Sequence, residues 1–147
     1  MKRIKTHYLK AMVFTSMVAC LLNSAVYAES NNALQGIKLG FGYDLGLGLT
    51  AQTNKFNGFI GNGGVAADYI LAKENIKNIE ASIPLYWYIG AGGYAEWKGG
   101  AGARMPVGLE AAFAKKLDAY VQIIPEVKLV DDVKFGLGAG FGVRYKF

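Results

Sequence analysis

A sparse set of charged and phenolic side chains recurs at alternate positions of the chain, separated mainly by glycine. The cations are Lys38, Arg104, Lys128, Arg144 and Lys146, and the anions are Asp68, Glu96, Glu110 and Glu126. Tyr86, Tyr88, Tyr94, Tyr120 and Gln122 share their parity. Side chains of these types can exchange protons through paired carboxylates, for which Glu96 and Glu110 are the candidates. They can also neutralise one another as ion pairs. Nucleophilic catalysis is poorly provided for. His7 is the only histidine and Cys20 the only cysteine, both near the start of the chain, and beyond residue 28 the only serines are Ser30 and Ser82. A Ser–His pair is therefore unavailable there. No glycine-rich dinucleotide fingerprint or phosphate loop occurs, and Asp131-Asp132 reads as a solvated loop rather than a cation site. The expectation is no catalytic residue, no metal, no cofactor, and no enzyme.

The elements that carry these side chains are strands. In the stretch 134–147, Phe135, Leu137, Ala139, Phe141, Val143, Tyr145 and Phe147 alternate with Gly136, Gly138, Gly140, Gly142, Arg144 and Lys146. Period-two alternation over more than ten residues specifies a strand. Its apolar face is bulky and its other face is nearly bare glycine. That is a poor surface for water but a good lining for a narrow barrel, so the apolar face is expected to meet lipid.

The start of the chain has another character. Lys2, Arg3, Lys5 and Lys10 precede the apolar run 11–22, and Val26-Tyr27-Ala28 offers a cleavage site. This is the pattern of a secretory signal peptide, 1–28, too short to span a bilayer as a helix. The run continues through Leu21 and Leu22 past Cys20, which argues against lipidation there. Beyond residue 28, twelve basic residues face eleven acidic ones, so the net charge falls from +5 to +1. The basic balance is thus no sign of a nucleic-acid partner. The remaining 29–147 is expected to form one domain.

Taken in order, 29–34 is a polar leader, and 36–53 alternates almost without fault. Asp44 and Gly46 suit a turn, so strands at 36–43 and 46–54 are expected, a single long strand being the alternative. A weaker strand covers 55–61, and Gly61-Asn62-Gly63-Gly64 is a turn. The next strand begins at Val65, and 73–82 is a polar connection. In 85–97, Leu85, Trp87, Ile89, Ala91, Gly93, Ala95 and Trp97 share one face. Trp87 and Trp97 are ten residues apart, roughly 25 Å along a bilayer normal for a tilted strand, the height of an apolar band. They are expected, with Tyr145 and Phe147, to form aromatic girdles. Pro106 falls on the inward face of the strand 101–113 and should cause a bulge or distortion. Lys115-Lys116 turns the chain into a strand from Leu117, and Asp131-Asp132 forms the last loop.

The fold class expected is all-β: an antiparallel up-and-down transmembrane barrel of about eight strands. The motifs Tyr88-Ile89-Gly90-Ala91-Gly92-Gly93, Arg104-Met105-Pro106-Val107-Gly108-Leu109 and Gly142-Val143-Arg144-Tyr145-Lys146-Phe147 resemble small outer-membrane barrels of the OmpA/OmpX type, closest to an OmpA-like short-barrel family of unknown function. The resemblance covers somewhat under half the chain. It implies an outer-membrane location in a Gram-negative envelope, lipid as surroundings, and recognition of the last strand by the barrel-insertion machinery. It carries no reaction. With Phe147 periplasmic, the 115–116 turn and the 73–82 connection share its side, and the 98–100 and 131–132 loops lie outside. A monomer is expected.

Inside such a barrel, Lys38, Asp68, Glu96, Arg104, Glu110, Glu126 and Arg144 should pair across the lumen, because eight strands enclose a space that side chains just fill. A structural barrel with a plugged lumen is one reading. A narrow polar channel, suggested by the lumenal glycines, is the other. The simplest hairpin register puts Glu110 beside Gln122 and Gln122 beside Gly142, with Arg144 diagonal and Glu110 its nearest anion.

Overall fold

The structure is a computed structural model that describes residues 35–77, 80 and 82–147. The expected signal peptide 1–28, with His7 and Cys20, and the leader 29–34 lie outside the described residues, as do positions 78, 79 and 81 of the polar connection. Described here is the unit that begins at Gly36.

Nine strand segments follow one another: β1 Lys38–Asp44, β2 Gly46–Gln52, β3 Phe56–Gly61, β4 Gly64–Asn75, β5 Leu85–Glu96, β6 Ala101–Arg104, β7 Val107–Ala114, β8 Leu117–Lys128 and β9 Lys134–Lys146. Segments β6 and β7 are two halves of one stave, since both pair with β5 on one side and β8 on the other in the same register. Each stave is antiparallel to the next in sequence, and β1 pairs with β9 through Lys38↔Lys146 to Tyr43↔Phe141. The result is a closed, eight-stranded antiparallel barrel, all-β as the alternation specifies. Closure leaves no sheet edge along the paired staves. The stretch 36–53 forms two strands around Leu45, with Gly46 at φ +80°, a conformation glycine adopts without strain.

The barrel is inside out relative to a water-soluble protein. Among the described residues, nine polar or charged side chains are buried beside seven apolar or aromatic ones and Pro106, the reverse of an ordinary core. Phe135 is 89% exposed and Phe41 75%, while Arg144 is fully buried. Each strand delivers this division through its period of two.

Period two is fragile, because a slip of one residue turns every side chain to the wrong face. Two bulges reset it. The turn at Lys115-Lys116 closes on the pair Ala114↔Leu117. Continued without interruption, that register would set Glu110 opposite Val121, an outward residue. A shift between Ala111 and Ala114 adds one residue to β7, and Glu110 then faces Tyr120. In β4 a shift between Ile70 and Ala72 places Lys73 opposite Tyr88, on the lumenal side.

These devices correct two sequence expectations. The polar connection begins after Asn75, not at Lys73, because the bulge lets β4 continue. The simple hairpin register is displaced by two residues. Gln122 pairs with Gly108 and Gly140, and Arg144 pairs with Asp118. The turn after β7 is tighter than simple alternation assumes, and a five-residue loop with Asp131 at φ 71° sets the last hairpin. Pro106 breaks the stave for two residues but does not bulge it. The Gly90 amide donates to the Pro106 carbonyl at 2.8 Å, and the Met105 amide to the Pro125 carbonyl at 2.9 Å. Only the donor that proline lacks is missing from the ladder.

Lumenal glycine makes room for lumenal tyrosine. A Cβ on Gly108 would lie 2.5 Å from the Tyr88 ring, and one on Gly142 would lie 2.8 Å from the Tyr120 ring. Each ring covers the glycine directly across from it. Replacing Gly108 with Ala should therefore displace Tyr88 and cost about 1–3 kcal/mol, the range for overpacking. Gly58→Ala, where the nearest atom to the added Cβ is 3.9 Å away, should be near neutral. Urea unfolding of the two variants in micelles checks the contrast.

Candidate functional site

The lumen holds two charge clusters. Towards the end with the 62–63 and 97–100 turns, Arg104 of β6 is gripped by two carboxylates. Its Nε and Nη2 donate to Asp68 Oδ1 and Oδ2 at 2.9 and 3.1 Å. Its Nη1 and Nη2 donate to Asp44 Oδ1 and Oδ2 at 2.9 and 2.6 Å. One planar guanidinium thus makes two forked pairs, a geometry that lysine could not reproduce.

Towards the end where Phe147 lies, Arg144 of β9 donates from Nη2 to Glu110 Oε2 at 2.8 Å and from Nε to Asp118 Oδ1 at 3.1 Å. Its Nη1 reaches Asn57 Oδ1 at 3.4 Å, and its guanidinium carbon sits 4.1 Å from the Tyr120 ring centroid. Lys38 pairs with Glu110, and with Asp118 Oδ2 at 2.6 Å. Lys73 Nζ donates to both Glu110 oxygens at 2.8 Å and to Gln52 Oε1 at 3.3 Å. Glu110 is therefore the hub, with three cations on one carboxylate.

Gln122 and Tyr88 extend the cluster around Arg104. The Gln122 Nε2 donates to Asp44 Oδ2 at 3.2 Å, and its Oε1 accepts from the Tyr88 hydroxyl at 2.8 Å. Four cations, Lys38, Lys73, Arg104 and Arg144, face four carboxylates, Asp44, Asp68, Glu110 and Asp118. The clusters differ individually: the one around Arg144 carries one extra positive charge, and the one around Arg104 one extra negative. All eight staves contribute a polar side chain to one or other of these two sets of contacts.

Among the seven residues singled out from the sequence, Lys38, Glu110 and Arg144 meet in one cluster, and Asp68 and Arg104 meet in the other. Glu96 and Glu126 join neither. Glu96 is exposed at the end of β5, and Glu126 is half-buried near Gly136, with no ion pair to either among the described residues. Sequence reasoning left out Asp44, Lys73 and Asp118. Asp118 shares the inward parity, and its alternation with Leu117 and Ala119 could have placed it in the set. Asp44 has the composition of a turn residue yet closes β1. Lys73 has outward parity until the β4 bulge reverses it, so no pattern in the chain points to it.

The aromatic set lies on the outer face. Trp97, just past β5, donates its indole N–H to the Gly61 carbonyl at 2.9 Å. Trp87 is about one-third exposed. Tyr145 and Phe147 stack edge to face at 5.1 Å, at the end opposite Trp97.

Polar lumen, apolar outer face and complete closure define a transmembrane-type β-barrel. No protein-family model, no curated protein and no solved structure matches the chain. Among the described residues, no group of acidic, histidine or cysteine side chains is arranged to hold a metal ion.

The charge count ranks the effects of substitution. Arg104→Met strands two buried carboxylates and should cost about 3–5 kcal/mol. Arg144→Met leaves Lys38 and Lys73 facing Glu110 and Asp118 in balance, and should cost less. Glu110→Gln leaves three cations facing Asp118 alone, and should exceed Arg144→Met. Replacing Arg104, Asp44 and Asp68 together by Met and Leu should recover most of the single-variant loss, since apolar groups of similar volume substitute well for buried ion triads. Urea unfolding in lipid or micelles orders the series.

Proposed function

We propose that this chain is an integral outer-membrane β-barrel of the OmpA/OmpX-like type, non-catalytic and structural, with a lumen closed by its own side chains. On this reading the segment 1–28 directs export and is removed, the barrel-insertion machinery reads the strand ending at Phe147, and a monomer stands in outer-membrane lipid without a nucleic-acid partner.

One observation carries the closed-lumen reading. Both lumenal guanidinium groups have 0% side-chain exposure, although they occupy the interior of a barrel open to solvent at its ends. Side chains from every stave thus fill the cross-section at two levels. Two of the glycines that favour a channel, Gly108 and Gly142, are covered by Tyr88 and Tyr120, which supports closure.

The membrane reading rests on energetics. On β9 alone, Phe135, Leu137, Phe141, Val143 and Tyr145 are exposed. Burying one such side chain is worth about 1.5–3 kcal/mol. A water-soluble fold leaving this band uncovered would forgo an amount comparable to the roughly 5–15 kcal/mol by which proteins are stable. Lipid removes that deficit. The Asp131-Asp132 loop and the 97–100 turn share the end opposite Phe147, which fits their assignment to the outside.

Folded barrels of this kind resist SDS until heated. The protein should migrate faster unheated than boiled, show β-type circular dichroism, and fractionate with outer membranes. It should give no stepwise conductance in planar bilayers. Stepwise currents from protein shown to be folded would favour the channel, and recovery in the soluble fraction would overturn the membrane reading.

A further inference from the structure

The lumen ends in a basic vestibule that the charge network does not use up. At the end where Phe147 lies, a cavity of about 420 Å³ is lined by Lys38, Lys73, Lys115, Lys116 and Lys146 against only two carboxylates, Glu110 and Asp118. That is an excess of three positive charges, and Arg144 lies directly behind both carboxylates. The acceptors are already engaged. Glu110 holds Lys38, Lys73 and Arg144, and Asp118 holds Lys38 and Arg144. Neither can neutralise the lysines at the rim. Lys116 lies against the Tyr145 ring, 5.5 Å from its centroid. Lys115 and Lys146 have no ion-pair partner among the described residues. The volume falls within the range of small-molecule sites.

A second observation points the same way. Gln52 lines this cavity, is 2% exposed, and its Nε2 has no hydrogen-bond partner, alone among the buried side-chain polar atoms of the described residues. Its orientation is fixed, because the amide oxygen accepts from Lys73 and a flip would set two donors against each other. A buried donor without an acceptor calls for a partner supplied from outside the chain. Beside an excess of lysine charge, that partner is an anion.

We propose that the vestibule binds a phosphate-bearing anion, held by Lys38 and Lys73, by the Gln52 amide, and at the rim by Lys115 and Lys146. Ammonium groups and an amide N–H suit phosphate oxygens, with lysine acting as a point charge that does not require planar geometry. The site lies at the mouth, outside the plugs around Arg104 and Arg144, so it does not depend on whether the lumen conducts.

Sodium pyrophosphate is titrated calorimetrically into the full barrel in zwitterionic micelles, with ionic strength balanced by chloride. Saturable binding is expected, at least ten-fold weaker in Lys115→Gln/Lys146→Gln, whose changes lie at exposed positions and should leave the heat-dependent gel shift intact. Gln52→Met should also weaken it. A second arm adds phosphatidylglycerol or phosphatidylcholine to the micelles and follows thermal unfolding. A higher midpoint with phosphatidylglycerol alone, lost in the double lysine variant, identifies a lipid headgroup as the source of the phosphate, whereas pyrophosphate binding identifies a free anion. If neither probe acts, or if both act equally on the double lysine variant, the proposal is overturned.

Discussion

An arginine inside a closed barrel keeps its charge at any ordinary pH, so the barrel must be built around its neutralisation. Here two such groups stand at different heights. Arg104 takes both oxygens of Asp44 and both of Asp68, and Arg144 takes one each from Glu110 and Asp118. The carboxylates come from β1, β4, β7 and β8; Asp118 lies across the β8–β9 hairpin from Arg144, but the other three reach their arginine only after non-adjacent staves have met. The charges make closure a condition of folding. An open sheet would leave two guanidinium groups and four carboxylates partly desolvated without their partners, a cost of several kcal/mol per ion.

That demand explains irregularities which would otherwise look like defects. The β7 bulge exists at a turn that would otherwise aim Glu110 outward, away from its three cations. The β4 bulge brings in Lys73, without which the Glu110 cluster would lose a cation. The two-residue break at Pro106 leaves Arg104 and Glu110, on either side of it, in one register with both neighbours. The glycines serve the same end. Laid over Gly108 and Gly142, Tyr88 and Tyr120 fill space between the charges; Tyr88 donates its hydroxyl to Gln122, and Tyr120 offers its ring face to Arg144.

Charge is distributed unevenly along the axis. The cluster around Arg104 is one negative charge in excess, the cluster around Arg144 one positive, and the lysines at the adjoining mouth extend the positive end. The interior is therefore polarised along its axis. The excess collects at a mouth where water and solutes can reach it, and there the lysine ammonium groups are best solvated.

The sequence by itself determined the strands, their two faces, and the number of staves, because a period of two is a local property that any stretch of six or more residues displays. It placed Lys38, Asp68, Arg104, Glu110 and Arg144 in the interior by parity alone, and it marked Trp87, Trp97, Tyr145 and Phe147 as outward. Which of those charges would touch was another matter. Partners depend on register between staves, and register here is set by two bulges and a five-residue loop whose geometry no periodicity encodes. Lys73 shows the reason most plainly. Its parity directs it to the outer face, and only the extra residue between Ile70 and Ala72, accommodated because β5 offers Tyr88 across from it, turns it into the lumen beside Glu110.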